Sequence, residues 1–311
     1  MRIVFFGTPD FAVESLDAIM HSSHKVVAVV TVPDRPAGRG QKTASSAVKE
    51  YAVAHNLPLL QPERLRSEEF IEALRKLQAD CFVVVAFRML PECVWAMPPL
   101  GTFNLHASLL PRYRGAAPIN WAIINGEQKT GVTTFMLNHR IDEGGILLQE
   151  STPIATDETA GSLHDRLALM GRSLVVRTLD GLESGLLNSH PQEGCPCPAP
   201  KIFKDDTRID LTRTASEVEH LVRGLSPYPS ATLTLRNKRS ETVAFKIHSC
   251  RATNEPTTTA QRLLCDGKNS LKIAASDYFV EILELQMAGK KKNTTADFLR
   301  GTDITNWKLT Q

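Results

Sequence analysis

Three short runs, "RIVFFG" (2–7), "KVVAVVTV" (25–32) and "ADCFVVVAF" (79–87), are apolar without alternation. A strand with one face in water alternates apolar and polar residues, whereas a strand covered on both faces reads like these. Helical patterns separate them. "TPDFAVESLDAIMHS" sets Phe11, Ser15, Ala18 and Ile19 at helical spacing, with Pro9 near the start. A second helix is expected from about Ser46 to His55, then a short extended "LPLLQP", then a charged helix over Ser67–Gln78. Buried strand, helix, buried strand is the rhythm of a doubly wound α/β sheet.

The pattern continues through "GTFNLHAS", "GVTTFML" (131–137) and "ILLQESTPI", all read as extended. Leu163, Leu167, Met170, Leu174 and Leu182 then lie close to one face of a long helix over Ser162–Gly185. Periodicity is lost in "NSHPQEGCPCPAPKIFKDD" (188–206), dense in Pro, Gly and charge, which reads as an interdomain linker. A short helix near Thr214–Gly224 and several short alternating runs follow, the pattern of a small β-barrel or sandwich. The expected organisation is a domain over 1–188, a linker over 189–206 and a second domain over 207–311. A chain of 311 residues is long enough for about two cores.

Charge is uneven along the chain. Residues 1–200 hold 18 Lys+Arg against 21 Asp+Glu, a balance of −3, while residues 201–311 hold 18 against 13, a balance of +5. The second domain is thus suited to a polyanion, though a basic solvated surface gives the same count. No apolar run approaches the roughly 20 residues that span a bilayer. The N-terminus carries no cleavage-site pattern, and the six cysteines form no framework, so a cytoplasmic setting and no membrane are expected. Cys195-Pro-Cys197 with nearby His190 is one pair without a second, so no metal is expected.

A doubly wound sheet suggests a dinucleotide, but the first strand-to-helix turn argues otherwise. It reads Gly7-Thr8-Pro9-Asp10, with one glycine, a residue lacking an N–H, and a carboxylate where a pyrophosphate would sit. No P-loop is present either. Chemistry concentrates instead in "FNLHASLLPRYRG" (103–115), where Asn104 and His106 share one face of a strand. The "SLLPRYRG" that follows is too rich in Pro, Arg and Gly to continue the strand and should form a wall or mouth. Asp142 lies downstream in "NHRIDEGGILL", followed by two glycines that permit close backbone approach. Amide, imidazole and carboxylate together suit acyl transfer to an amine: the amide holds a developing oxyanion, the imidazole manages a proton, and the carboxylate orients the imidazole. A satisfied core histidine and a turn-capping aspartate account for the same residues. No Ser or Cys sits in a nucleophile elbow, which favours direct transfer over a covalent intermediate.

"FNLHASLLPRYRGAAPINWAI", with "IDEGGILL" downstream, resembles the folate-dependent formyltransferases, which use 10-formyltetrahydrofolate. The resemblance runs through "IVFFGTPDFAVESL", "PDRPAGRGQK", "TGVT" and "RIDLTRTASEVEHLVRGLSPYP" to "LQMAGKKK", nearly the whole chain, and points to the tRNA-directed branch of that family. It implies a Rossmann-like doubly wound formyltransferase domain followed by a smaller OB-like β-barrel domain. Asn104, His106 and Asp142 would transfer formyl to the α-amine of methionine esterified to initiator tRNA. Ser108, Leu109, Leu110 and Pro111 would line the folate site, bordered by Phe87 and Arg88, which stand where the family usually has Tyr-Gly. Arg35, Arg39 and Lys42 would form a basic loop entering the tRNA acceptor stem, although Gly-Gln-Lys replaces two adjacent lysines there. Lys290, Lys291 and Lys292 would contact phosphates. The implied partners are methionyl initiator tRNA and the folate co-substrate, with no metal, and a monomer is expected. Two other readings stay open: the same chemistry on a small amine, such as a nucleotide sugar or glycinamide ribonucleotide, and a tRNA-binding protein with an inactive catalytic fold.

Overall fold

The computed structural model describes residues 1–37, 42–257 and 262–310, which fall into two compact units. The first comprises Met1–Pro118, Lys129–Pro153 and His164–Pro200. In chain order its elements are β1 (Arg2–Gly7), α1 (Asp10–Met20), β2 (Lys25–Val30), the paired short strands β3 (Arg35–Ala37) and β4 (Lys42–Ala44), α2 (Ala47–Ala54) and β5 (Leu59–Leu60). There follow α3 (Glu68–Lys76), β6 (Cys81–Val85), α4 (Glu92–Trp95), β7 (Thr102–His106) and β8 (Arg112–Gly115). Helix α5 (Pro118–Ile124) groups with the second unit, whereas β9 (Lys129–Met136), β10 (Ile146–Pro153) and most of α6 (Ala160–Glu183) belong to the first. Strand β11 (Cys197–Ala199) ends that unit.

Among the described residues, the first unit carries a seven-stranded sheet in the order β10-β9-β7-β6-β1-β2-β5. The five strands β5, β2, β1, β6 and β7 run parallel, and β9 and β10 extend the sheet antiparallel. The unalternating runs of the sequence are its centre: β6 is buried throughout, and β1 and β2 are buried apart from Arg2 and Lys25. On one face Val4 and Phe6 pack with Phe82 and Val84 and with Phe70 and Leu74 of α3. Burial of each such side chain contributes about 1.5–3 kcal/mol. Pro9 is the N-cap of α1, and its buried stripe is Phe11, Ala12, Ser15, Leu16 and Ile19; Ala18 of the expected stripe is only partly buried. Ser46 caps α2 by accepting from Lys49 N.

The second unit comprises Ile119–Gln128, Ile154–Leu163 and Lys201–Gln311. It contains α7 (Ala215–Gly224), β12 (Ala231–Arg236), β13 (Thr242–Pro256), β14 (Leu263–Cys265), β15 (Leu271–Ala274), β16 (Tyr278–Met287), β17 (Asn293–Thr294), α8 (Thr295–Gly301) and β18 (Lys308–Leu309). The strands form a nearly closed antiparallel barrel in the order β14-β15-β16-β13-β12-β18, which resolves the choice between barrel and sandwich. Its core holds Phe245, Ile247, Ile273, Val280, Ile282 and Leu285, closed on one side by Val218 and Val222 of α7. A capping box starts α7, with Thr214 accepting from Glu217 N and Glu217 reaching back to Thr214 N. Among the described residues, no helix is long and apolar enough to cross a membrane.

Candidate active site

Strand β7 pairs with β6 on one side and β9 on the other, so its carboxyl end lies in the middle of the sheet. The carboxyl ends of parallel strands are where open α/β sheets bind ligands. Asn104 is partly exposed there and its carboxamide makes no hydrogen bond among the described residues, leaving both N–H groups free to donate. His106, two residues on, is buried, with its ring edge-on to Phe135 at 6.5 Å. Its Nε2 lies 2.7 Å from the Tyr113 carbonyl oxygen. A carbonyl only accepts, so Nε2 carries the hydrogen and Nδ1 is the nitrogen left to exchange a proton. Nδ1 faces Asp142 Oδ2 at 3.9 Å.

Asp142 is held from two sides. Its Oδ2 accepts from Gly115 N at 2.8 Å, and its backbone carbonyl accepts from Gln192 Nε2 at 2.8 Å. Its φ of 54° lies in the left-handed region, as do Tyr113 at 60° and Gly115 at 125°. Side-chain-bearing residues keep such conformations only where their surroundings over-determine them, and they gather at functional sites. Gly115 has no alternative: a Cβ there would stand 2.5 Å from the Ala199 carbonyl oxygen on β11. Thus "RYRG", expected only to form a wall or mouth, is a short strand paired with β11. It supplies both the acceptor for His106 and the donor for Asp142. The glycine in that run was the one sequence signal for this arrangement.

The expected folate residues form a wall beside this pair. Ser108 Oγ donates to Arg112 O at 2.6 Å, and its carbonyl accepts from Thr133 Oγ1 at 2.6 Å. Gln149 Nε2 donates to Leu110 O at 2.9 Å. Ser108, Leu110 and Pro111 are buried and Leu109 is half-buried, so these residues offer shape and apolar surface more than free polar groups. Phe87 leans edge-on against Phe6 at 5.7 Å. Arg88 turns back to donate to the carbonyls of Pro62 and Glu63, and its buried Nε has no partner among the described residues. Burial, and then the charge of Arg35, pull the Arg88 guanidinium below its ordinary range. Arg35 is exposed on β3 and Lys42 begins β4, whereas Arg39 lies outside the described residues. In the second unit Lys290, Lys291 and Lys292 are exposed on the turn after β16, where Lys292 Nζ pairs with Glu284 Oε2 at 3.0 Å.

A carboxamide without a partner among the described residues, an imidazole and a carboxylate are thus grouped at the carboxyl ends of the parallel strands, an arrangement that can stabilise charge on an acyl oxygen. The chain belongs to the formyl transferase family: the formyl transferase model matches residues 1–179, and the formyl transferase C-terminal domain model matches residues 201–303. Among its relatives, a methionyl-tRNA formyltransferase of Bacteroides fragilis is 51% identical over 311 residues, covering 98% of this chain and 96% of the relative. One of Flavobacterium johnsoniae is 49% identical over 303 residues, covering 97% and 96%. Among solved structures, WlaRD, a sugar 3N-formyl transferase crystallised with dTDP and 5-N-formyl-THF, aligns with a TM-score of 0.66 at 19% identity, over 94% of this chain and 99% of that one. HypX from Aquifex aeolicus in complex with tetrahydrofolic acid aligns at 0.64 and 17% identity, over all of this chain and 51% of that one.

Proposed function

We propose that the chain transfers the formyl group of 10-formyltetrahydrofolate to the α-amine of methionine esterified to initiator tRNA. The observation that carries the reading is the Asn104 carboxamide, free among the described residues, beside His106 and Asp142, in a chain that aligns over nearly its whole length with relatives named methionyl-tRNA formyltransferases. The site's groups suit an acyl donor of this kind, because two amide N–H groups are available to a carbonyl oxygen and apolar wall residues lie alongside. The folates bound by two fold relatives support the class of donor.

In the reaction a C–N bond forms to the methionine amine as the C–N bond to the folate's N10 breaks. One proton leaves the attacking nitrogen and one reaches the departing nitrogen. Asn104 donates to the formyl oxygen as negative charge gathers on it. His106, fixed through Nε2, keeps Nδ1 for proton exchange, and Asp142 sets the charge environment of that nitrogen. Lys290, Lys291 and Lys292, with Arg35, Arg39 and Lys42, meet the tRNA phosphates; such interactions position the nucleic acid without reading its sequence. The protein acts in the cytoplasm as a monomer.

Rapid-quench measurement of formyl transfer to methionyl initiator tRNA tests the assignment. Asn104→Ala is expected to lower the rate by about 10²–10³, as for a lost oxyanion donor, with the KM for tRNA changed by less than about threefold. An unchanged rate would remove Asn104 from the chemistry.

A further inference from the structure

Gln192 belongs to the stretch that the sequence presents as an aperiodic linker, yet every polar atom of its carboxamide is committed at the site. Nε2 donates to two carbonyl oxygens on the catalytic turn, Asp142 O at 2.8 Å and Gly144 O at 2.9 Å. Oε1 accepts from Arg114 Nε at 3.1 Å and Nη2 at 2.7 Å. Two acceptors at one end and a guanidinium at the other fix which way the amide faces. Arg114 in turn pairs with Glu143 Oε1 at 3.2 Å. The segment is anchored on either side of Gln192 by the bridge between Ile146 and His190 and by the pairing of β11 with β8.

We propose that Gln192 is a positioning residue for formyl transfer: it holds the Asp142 backbone in its left-handed conformation and thereby aims the carboxylate at His106 Nδ1. The inference rests on the formyl-transfer reading above. Asp142 at φ 54° has a conformation that an aspartate leaves readily when its carbonyl is not held. The side-chain bond from Gly115 N fixes only the carboxylate end. Gln192 fixes the other end, and ties it through Arg114 to the strand whose next residue, Gly115, supplies that donor. The segment around Gln192, which lies within the first unit, is therefore part of the catalytic constellation rather than a tether between domains.

The test is a double-mutant cycle on full-length protein, with single-turnover formyl transfer to methionyl initiator tRNA as readout. Gln192→Leu removes all four bonds. Gln192→Glu keeps the acceptor for Arg114 but sets its second carboxylate oxygen against the two carbonyls of the turn. Both variants are expected to lose about tenfold or more in rate, with KM for tRNA within about threefold of wild type. In an Asp142→Asn background the same changes are expected to cost less than about twofold, because a residue acting through Asp142 has nothing left to position. Equal losses in both backgrounds, or a wild-type rate for Gln192→Glu, would overturn the proposal. If Gln192→Leu fails to fold, as its circular dichroism melt would reveal, Gln192→Glu alone decides. A wild-type protein that transfers no formyl group would instead count against the reading of the site itself.

Discussion

The imidazole of His106 serves the fold and the site at once. Its Nε2–H satisfies the carbonyl of Tyr113, a buried residue with φ of 60°, and its Nδ1 looks toward Asp142. Substitution therefore has two consequences of different kinds. His106→Ala is expected to lower kcat by about 10²–10⁴, the range for a lost acid–base group. It also removes one hydrogen bond to a buried carbonyl, at a cost of about 0.5–1.5 kcal/mol in stability. Steady-state kinetics beside a chemical denaturation curve separates the two. A protein destabilised by that amount but turning over near the wild-type rate would leave His106 a structural residue only. Of the groups gathered here, Asn104 and His106 stand out in the sequence because an amide and an imidazole two positions apart interrupt an apolar strand, and Asp142 because two glycines follow it. The Tyr113 carbonyl, the Gly115 N–H and Gln192 do not, since backbone groups have no letter and a glutamine 50 residues after Asp142 has no spacing rule to connect it.

At the scale of elements, the turn between β9 and β10 that carries Asp142 is packed against its own sheet. A Cβ on Gly144 would lie 1.6 Å from the Met136 carbonyl oxygen, at the very end of β9, while Met136 N donates to Gly145 O at 2.9 Å. The turn cannot accept a methyl group without moving. Gly144→Ala is thus expected to cost about 1–3 kcal/mol, the range for overpacking, and to reduce transfer by shifting Asp142 two residues away. Thermal melting and single-turnover rates measured together check this; a variant unchanged in both would contradict the packing described. The buried strands β1, β2 and β6 are legible because burial on both faces leaves no choice but a continuous apolar run. Strand β8 is not: "RYRG" has no alternation, and it is extended because β11, more than 80 residues further on, pairs with it. Helix α8 is hidden for a similar reason, since seven residues carry too little periodicity to announce a helix and the Thr294 cap, accepting from Asp297 N, does the rest.

At the scale of the whole molecule, the uneven charge of the sequence meets the division into two units. The +5 balance of residues 201–311 falls within the barrel unit, where Lys290, Lys291 and Lys292 stand exposed on one turn. Replacing all three with Gln is expected to weaken tRNA affinity and to lower the slope of log K against log salt by about 1 for each phosphate that is no longer neutralised. Filter binding over a range of salt concentrations measures it, and an unchanged slope would take the turn out of the tRNA interface. Arg39→Ala is expected to reduce tRNA-dependent activity while folate binding, followed by fluorescence, stays as in wild type. An equal loss of folate affinity would reject the tRNA role of that position.

The central claim is that an amide, an imidazole and a carboxylate at the end of a doubly wound sheet deliver a formyl group to an amine carried on tRNA. Its most direct test is an acceptor panel with 10-formyltetrahydrofolate as donor, offering methionyl initiator tRNA, methionyl elongator tRNA, free methionine and a nucleotide-linked amino sugar. Formylation of the initiator tRNA, with little or none on the other acceptors, is the predicted result. Formylation of the amino sugar with none on either tRNA would contradict it, keeping the chemistry of Asn104, His106 and Asp142 but removing tRNA as the partner of the second domain.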